Sequence, residues 1–105
     1  MNRWLDLAWK LTSQSQAKQQ RMAAIVVRGG AVLSVGINHR FNHCERRALR
    51  PHHDYSGATI YIARHNKLLS RPCDDCQKLL IYAGIRQAVY NSSCGNVVTE
   101  RYGKG

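Results

Sequence analysis

The chain is short of acid. Six Asp and Glu stand against sixteen Lys and Arg, which leaves a formal net charge of +10 over 105 residues. An imbalance of this sign excludes an acidic, cation-seeking surface and concentrates phosphates near the protein. A polyanionic or phosphorylated partner is one reading of it, and a solvated basic surface is the other. Long apolar runs are also missing. None approaches the roughly 20 residues that a membrane helix needs. The start, from Met1 to Lys10, is broken by Asp6 and Lys10 and so does not read as a secretory signal. The expectation is a cytoplasmic protein with no membrane partner. Proline occurs twice and aromatic residues make up 8%; no repeat, linker or low-complexity tract divides the chain. Residues 1–105 therefore read as a single domain, large enough to bury its own core without disulfides. In a reducing compartment the four cysteines are metal ligands or buried thiols rather than two bridges.

Periodicity supplies the elements. Trp4, Leu5, Ala8 and Leu11, with Leu7 beside them, mark one face of an amphipathic helix from Trp4 to about Gln19. Two β-branched runs, Met22 to Arg28 and Ala31 to Ile37, flank Gly29-Gly30 and predict a hairpin. A helix is expected to begin near His43 and to end at Pro51, because the residue before proline is pushed out of the helical region. Residues 58–63 predict a third strand, and 64–71 a polar loop. Pro72 is expected to open a helix that Gly84 closes. Ile85 to Tyr90 predicts a fourth strand, and Val97-Val98-Thr99 a short fifth. The order α-β-β-α-β-α-β-(β) implies an α/β fold, a mixed central sheet of four to five strands flanked by helices.

Pro72-Cys73-Asp74-Asp75-Cys76 places two thiols three residues apart at the start of a helix. That spacing turns them to one side, and the helix N-terminus favours the thiolate that binds zinc. Alone, the pair is also consistent with a redox couple or half of a zinc knuckle, although Asp74 and Asp75 oppose a redox role. His43-Cys44-Glu45 narrows the choice. With His43, Cys73 and Cys76 as ligands, the fourth zinc position stays open for water, the arrangement of catalytic rather than structural sites. Bound there, water has its pKa lowered from about 15.7 to about 7, and Glu45 is placed to move its proton to a ring nitrogen and then to the departing amine. The combination is the H-x-E…P-C-x-x-C pattern of zinc deaminases. A closed site with Cys44 as fourth ligand is disfavoured, because adjacent helical side chains diverge by about 100°. Cys44 and Cys94 then read as buried or free thiols.

These motifs resemble the cytidine and deoxycytidylate deaminase superfamily, which includes the tRNA adenosine deaminases. The resemblance runs from about Met22 to Tyr90. It is carried by Gly36-Ile37-Asn38, His43-Cys44-Glu45, Ser56-Gly57-Ala58-Thr59-Ile60-Tyr61, Arg71-Pro72-Cys73-Asp74-Asp75-Cys76 and Tyr82-Ala83-Gly84-Ile85-Arg86-Gln87-Ala88-Val89-Tyr90. The last two stretches look most like the nucleotide-deaminating branch, small phage members among them, which would put the protein in a host cytoplasm. The resemblance implies a three-layer cytidine-deaminase-like fold, Zn2+ at His43, Cys73 and Cys76, proton transfer by Glu45, and contact of Asn38 with the substrate's sugar. The chain also departs from the family. Cys44 stands where alanine is usual, and only four residues separate Asn38 from His43. The loop 64–71 is longer than in close relatives. The usual final helix is missing after Tyr90, where a hairpin is expected instead.

Three functions fit this reading. The first is deamination of a free cytosine nucleoside or nucleotide, with Arg40, His39 or Arg71 holding a phosphate and Cys44 and Pro72 lining the pocket. The second is deamination of cytosine or adenine in single-stranded DNA or RNA, favoured by the +10 charge, the short loop, and Phe41 and His39 as stacking groups. The third is a zinc-bearing binding module without catalysis, against which Glu45 argues. Arg46, Arg47 and Arg50 read as a solvated helix face, and His52 and His53 as loop residues. Relatives often assemble, so a homo-oligomer is expected to be compatible with the chain.

Overall fold

The computed structural model describes residues 3–14, 21–38, 48–49, 54–66 and 70–102. The two apolar runs form the hairpin β1 (Met22–Arg28) and β2 (Ala31–Ile37). At the turn Gly29 and Gly30 take φ of 59° and 77°, the doubly positive pair of a tight hairpin. Register shifts between Val26 and Val27, so that Leu33 is an extra residue in β2 and bulges it. Thr59–Arg64 is β3, Gln87–Asn91 is β4 and Val97–Arg101 is β5. They make one five-stranded sheet in the order β2-β1-β3-β4-β5. Only the β3–β4 pairing is parallel; the other three are antiparallel.

β1 lies second in the sheet, with both edges paired and both faces covered. Residues 23–27 are accordingly all buried, and the run is continuously apolar rather than alternating. Helix α1 (Arg3–Leu11) covers one face. Leu5 and Ala8 pack there with Ile25, Val27, Ala63 and Val89. Helix α2 (Asp74–Tyr82) covers the other, where Leu80 joins Ala24, Val26, Ile60, Ile62, Ala88 and Tyr90. Helix, sheet and helix make the three layers expected, with all five strands present.

Several boundaries differ from expectation for local reasons. α1 stops at Leu11 and passes into a single 3-10 turn, Thr12–Gln14. There the buried Thr12 hydroxyl donates back to the Trp9 carbonyl at 2.6 Å and lies 3.2 Å from His65 Nδ1. Trp9 Nε1 donates to the His65 carbonyl at 2.8 Å, so the end of α1 is tied to the end of β3. α2 begins at Asp74, with Cys73 as N-cap; Pro72 lies just outside the helix instead of opening it. Its closure by Gly84 holds. The amides of Gly84 and Ile85 donate to the carbonyls of Ile81 and Leu80, and Gly84 has φ of 88°, a Schellman cap. That cap uses Ile85, and Arg86 N donates to Ala58 O at 2.7 Å, so β4 starts two residues later than predicted. Of the helix expected from His43, only Ala48 and Leu49 are among the described residues. Ala48 is buried, and its carbonyl accepts from the Ser34 hydroxyl and, at 3.3 Å, from the Tyr55 hydroxyl. Among the described residues no helix is long and apolar enough to cross a membrane.

Candidate active site at one edge of the sheet

Strand direction decides where the motifs meet. β2 and β3 are both antiparallel to β1, and β4 is parallel to β3, so all three end on the same edge. Asn38 leaves β2 there, its amide donating to the Met22 carbonyl at 3.1 Å, and the His65 amide donates to Arg21 O at 2.8 Å beside it. The chain goes on from Asn38 to His43 within five residues and returns from β3 through Ser70 to Cys73. The strand ends from which the two motif segments leave are two sheet positions apart. At about 4.8 Å per strand that is roughly 10 Å, and such ends are where open α/β sheets place ligands.

Cys73 and Cys76 occupy the N-cap and the third helical position of α2. These are the two positions a capping box brings together. Cys73 has extended backbone, φ −67° and ψ 167°, its side chain makes no capping hydrogen bond, and it is exposed; Cys76 is fully buried. Neither is in a disulfide. Two soft donors on one helix start, one facing solvent and one rooted in the core, suit a zinc site that needs further ligands. Asp74 and Asp75 are exposed beside them. The segment before the thiols is held from two sides. The buried Ser70 hydroxyl donates to Ile62 O at 2.9 Å and accepts from Asn91 N at 2.9 Å, while Ser70 N donates to Asn91 O at 3.0 Å. Pro72 is buried, and its carbonyl accepts from Gln77 Nε2 at 2.9 Å.

The expected substrate contacts are divided. Asn38 stands at the end of β2, where its Oδ1 accepts from Met22 N at 2.9 Å. Arg71 points to β5 instead of into open solvent: Nε and Nη2 donate to the two Glu100 oxygens at 3.1 and 3.3 Å. Tyr90 donates to Glu100 Oε1 at 2.7 Å. The Tyr90 hydroxyl, followed by Arg71, holds the Glu100 carboxyl below its usual value. Burial and then the hydrogen bond to Glu100 push the Tyr90 phenol up. His39, Phe41, His43, Cys44 and Glu45 lie outside the described residues, as do Arg40, Arg46, Arg47, Arg50, His52 and His53. Cys94 is an exposed free thiol. Ser70 and Glu100 carried no motif in the sequence.

Residues 1–92 match the cytidine and deoxycytidylate deaminase zinc-binding region. The chain belongs to this family. No curated protein sequence matches it. Among solved structures it is similar to a deoxycytidylate deaminase from the cyanophage S-TIM5, with 24% identity, a TM-score of 0.70, and coverage of 90% of this chain and 89% of that one. It is also similar to a cytidine deaminase from Burkholderia pseudomallei, with 20% identity, a TM-score of 0.68, and coverage of 96% and 93%. A bifunctional diaminohydroxyphosphoribosylaminopyrimidine deaminase and reductase from Thermotoga maritima matches at 25% identity and a TM-score of 0.66; 81% of this chain covers 27% of that one. The fold is therefore shared by deaminases named for different pyrimidine substrates.

Proposed function

We propose that the chain is a zinc-dependent hydrolytic deaminase that converts the cytosine of a nucleoside or nucleotide, deoxycytidylate or cytidine in kind, to the uracil form. The observation that carries this reading is the Cys73/Cys76 pair at the start of α2, on the edge where β2 ends next to Asn38, five residues before His43. His43, Cys73 and Cys76 are the proposed ligands. Zinc, when bound, supplies a water acidic enough to ionise near neutral pH. Glu45 would take one proton of the attacking water and pass it to the ring nitrogen beside the amino-bearing carbon, then take the remaining hydroxyl proton from the adduct and give it to the departing amine. The carbon–nitrogen bond breaks, ammonia leaves and a carbonyl remains. Asn38 is assigned to the sugar; His39, Phe41, Cys44 and Pro72 are assigned to the pocket wall.

A phosphate on the substrate is supported by the charge of the edge itself. Arg21 and Arg64 stand at the strand ends on that edge, while Arg71 beside them is paired with Glu100. The similar cyanophage enzyme was solved in complex with dCMP and dUMP. The same basic edge, with the net charge of +10, favours a second reading, deamination within single-stranded DNA or RNA. Zinc-loaded protein incubated with cytidine, its deoxynucleotides and single-stranded oligonucleotides, followed for uracil formation, separates the two. Monomer conversion that is lost in Glu45→Ala supports the first reading, and conversion of oligonucleotides alone supports the second. No conversion of either, or full activity in Glu45→Ala, overturns the mechanism.

A further inference from the structure

We propose that Glu100 is a positioning residue for the metal-ligand segment: held by Arg71 and Tyr90, it fixes the approach of the chain to Cys73 and thereby sets the metal affinity of the Cys73/Cys76 pair. The inference rests on the zinc reading above. Its residues come from three places. Tyr90 is in β4, Glu100 is in β5, and Arg71 precedes Cys73 by two residues. The contacts form a closed set, with Arg71 bonded to both carboxylate oxygens at 3.1 and 3.3 Å and Tyr90 to one of them at 2.7 Å. A forked guanidinium–carboxylate pair constrains direction as well as distance.

The mechanics follow from the chain between the clamp and the thiol. Pro72 has a fixed φ, and its carbonyl is taken by Gln77 Nε2. Cys73 is extended at ψ 167°, so residues 71–73 form a short strap with little slack. Its inner end is sealed into the sheet by Ser70. Beside it the Arg71 head is held by Glu100 on the β4–β5 hairpin. β5 pairs with β4 alone, and Val97, Thr99 and Arg101 are exposed on its other side. A strand so lightly covered contributes little core, yet it presents Glu100 to the ligand strap. Cys76 is rooted in the core and needs no such support. Cys73 is exposed at the junction of the strap with the first turn of α2, where its carbonyl accepts from Gln77 N at 2.9 Å, so a shift of the strap is felt at its thiol.

Removing outer partners of metal ligands typically costs 10- to 100-fold in affinity, and this network acts one residue further out, so a loss of about 10-fold is expected. Zn2+ affinity is measured by competition with a chromophoric chelator, and Co2+ loading is followed by its thiolate charge-transfer band. Wild type, Glu100→Ala, Tyr90→Phe and the charge swap Arg71→Glu with Glu100→Arg are compared, with circular dichroism of the metal-free proteins as the folding control. Weaker metal binding and an altered Co2+ band in folded Glu100→Ala, with recovery in the swap, support the inference. Unchanged affinity in folded Glu100→Ala overturns it. If Glu100→Ala does not fold, Tyr90→Phe decides on the same criteria. A wild-type protein that binds neither metal instead overturns the zinc reading itself.

Discussion

Ser70 and Asn91 hold each other through two hydrogen bonds, amide to carbonyl at 3.0 Å and amide to hydroxyl at 2.9 Å. The same Ser70 hydroxyl donates to Ile62, so one buried oxygen bridges β3 and β4 just where the chain turns toward Cys73. Ser70→Ala leaves the Asn91 amide and the Ile62 carbonyl without this partner. An unpaired buried group costs about 1–3 kcal/mol. The expected outcome is a fall of that size in unfolding free energy by urea titration, with the m-value unchanged. A change below about 0.5 kcal/mol would show that water replaces the hydroxyl at no cost.

How much of this was legible in the sequence depended on whether a residue's role is local. The hairpin was readable because Gly29-Gly30 fits only a turn with positive φ. The end of α2 was readable because Gly84 fits the same demand at a helix end. The start of α2 was misplaced by two residues, since proline suits the first helical position and also the position before the cap. Ser70 and Glu100 left no trace: their partners lie 21 and 29 residues away, and nothing periodic marks a polar bond across a sheet. The meeting of His43 with the thiols was implied by motif alone. The parallel run of β2 and β3 puts the strand ends that precede the two motifs on one edge; His43 and Glu45 themselves lie outside the described residues.

Gly84 differs from Gly29, Gly30 and Gly57 in its surroundings. A Cβ at residue 84 would stand 3.0 Å from Ser56 Cα and 3.2 Å from Ser56 Oγ, whereas one at Gly57 would meet nothing within 4 Å. Both positions strain a non-glycine residue, by about 1–3 kcal/mol. Gly84→Ala adds a collision with backbone that Gly57 N, donating to Gly84 O at 2.9 Å, keeps close. Gly84→Ala is expected to lower the thermal midpoint more than Gly57→Ala. Equal losses in the two variants would show that the Ser56 loop yields freely.

Acid should weaken the fold through Glu100. Its carboxyl lies below the usual value, first because of the Tyr90 hydroxyl and then because of Arg71. A group with a lowered native pKa adds stability above its unfolded value, about 4.3 for Glu, and loses it as pH falls through the native value. Wild type should therefore exceed Glu100→Gln in thermal midpoint at neutral pH, with the gap closing progressively below about pH 4. Tyr90 has the opposite sign: its raised pKa preserves stability below about pH 10 and loses it as pH rises through the native value. A gap between wild type and Glu100→Gln that stays constant through the acid range would mean that Glu100 ionises alike in both states.

The two thiols should part company when each is removed, because they share a proposed ligand role but not an environment. Cys76 is fully buried and Cys73 is exposed. Cys76→Ala deletes one heavy atom from a packed site, a loss comparable with Ile→Val at about 1 kcal/mol. Cys73→Ala removes an atom that already faces solvent, and metal-free stability should hardly change. With zinc present the order no longer matters. A ligand that binds only the native state stabilises it by about 2.7 kcal/mol at 100 times its dissociation constant, and either substitution takes away one of the three proposed ligands. Thermal unfolding with and without zinc should show the gain in wild type and its loss in both variants. A full zinc-induced shift retained by Cys73→Ala would remove Cys73 from the ligand set, since an exposed N-cap thiol has no other route to that effect.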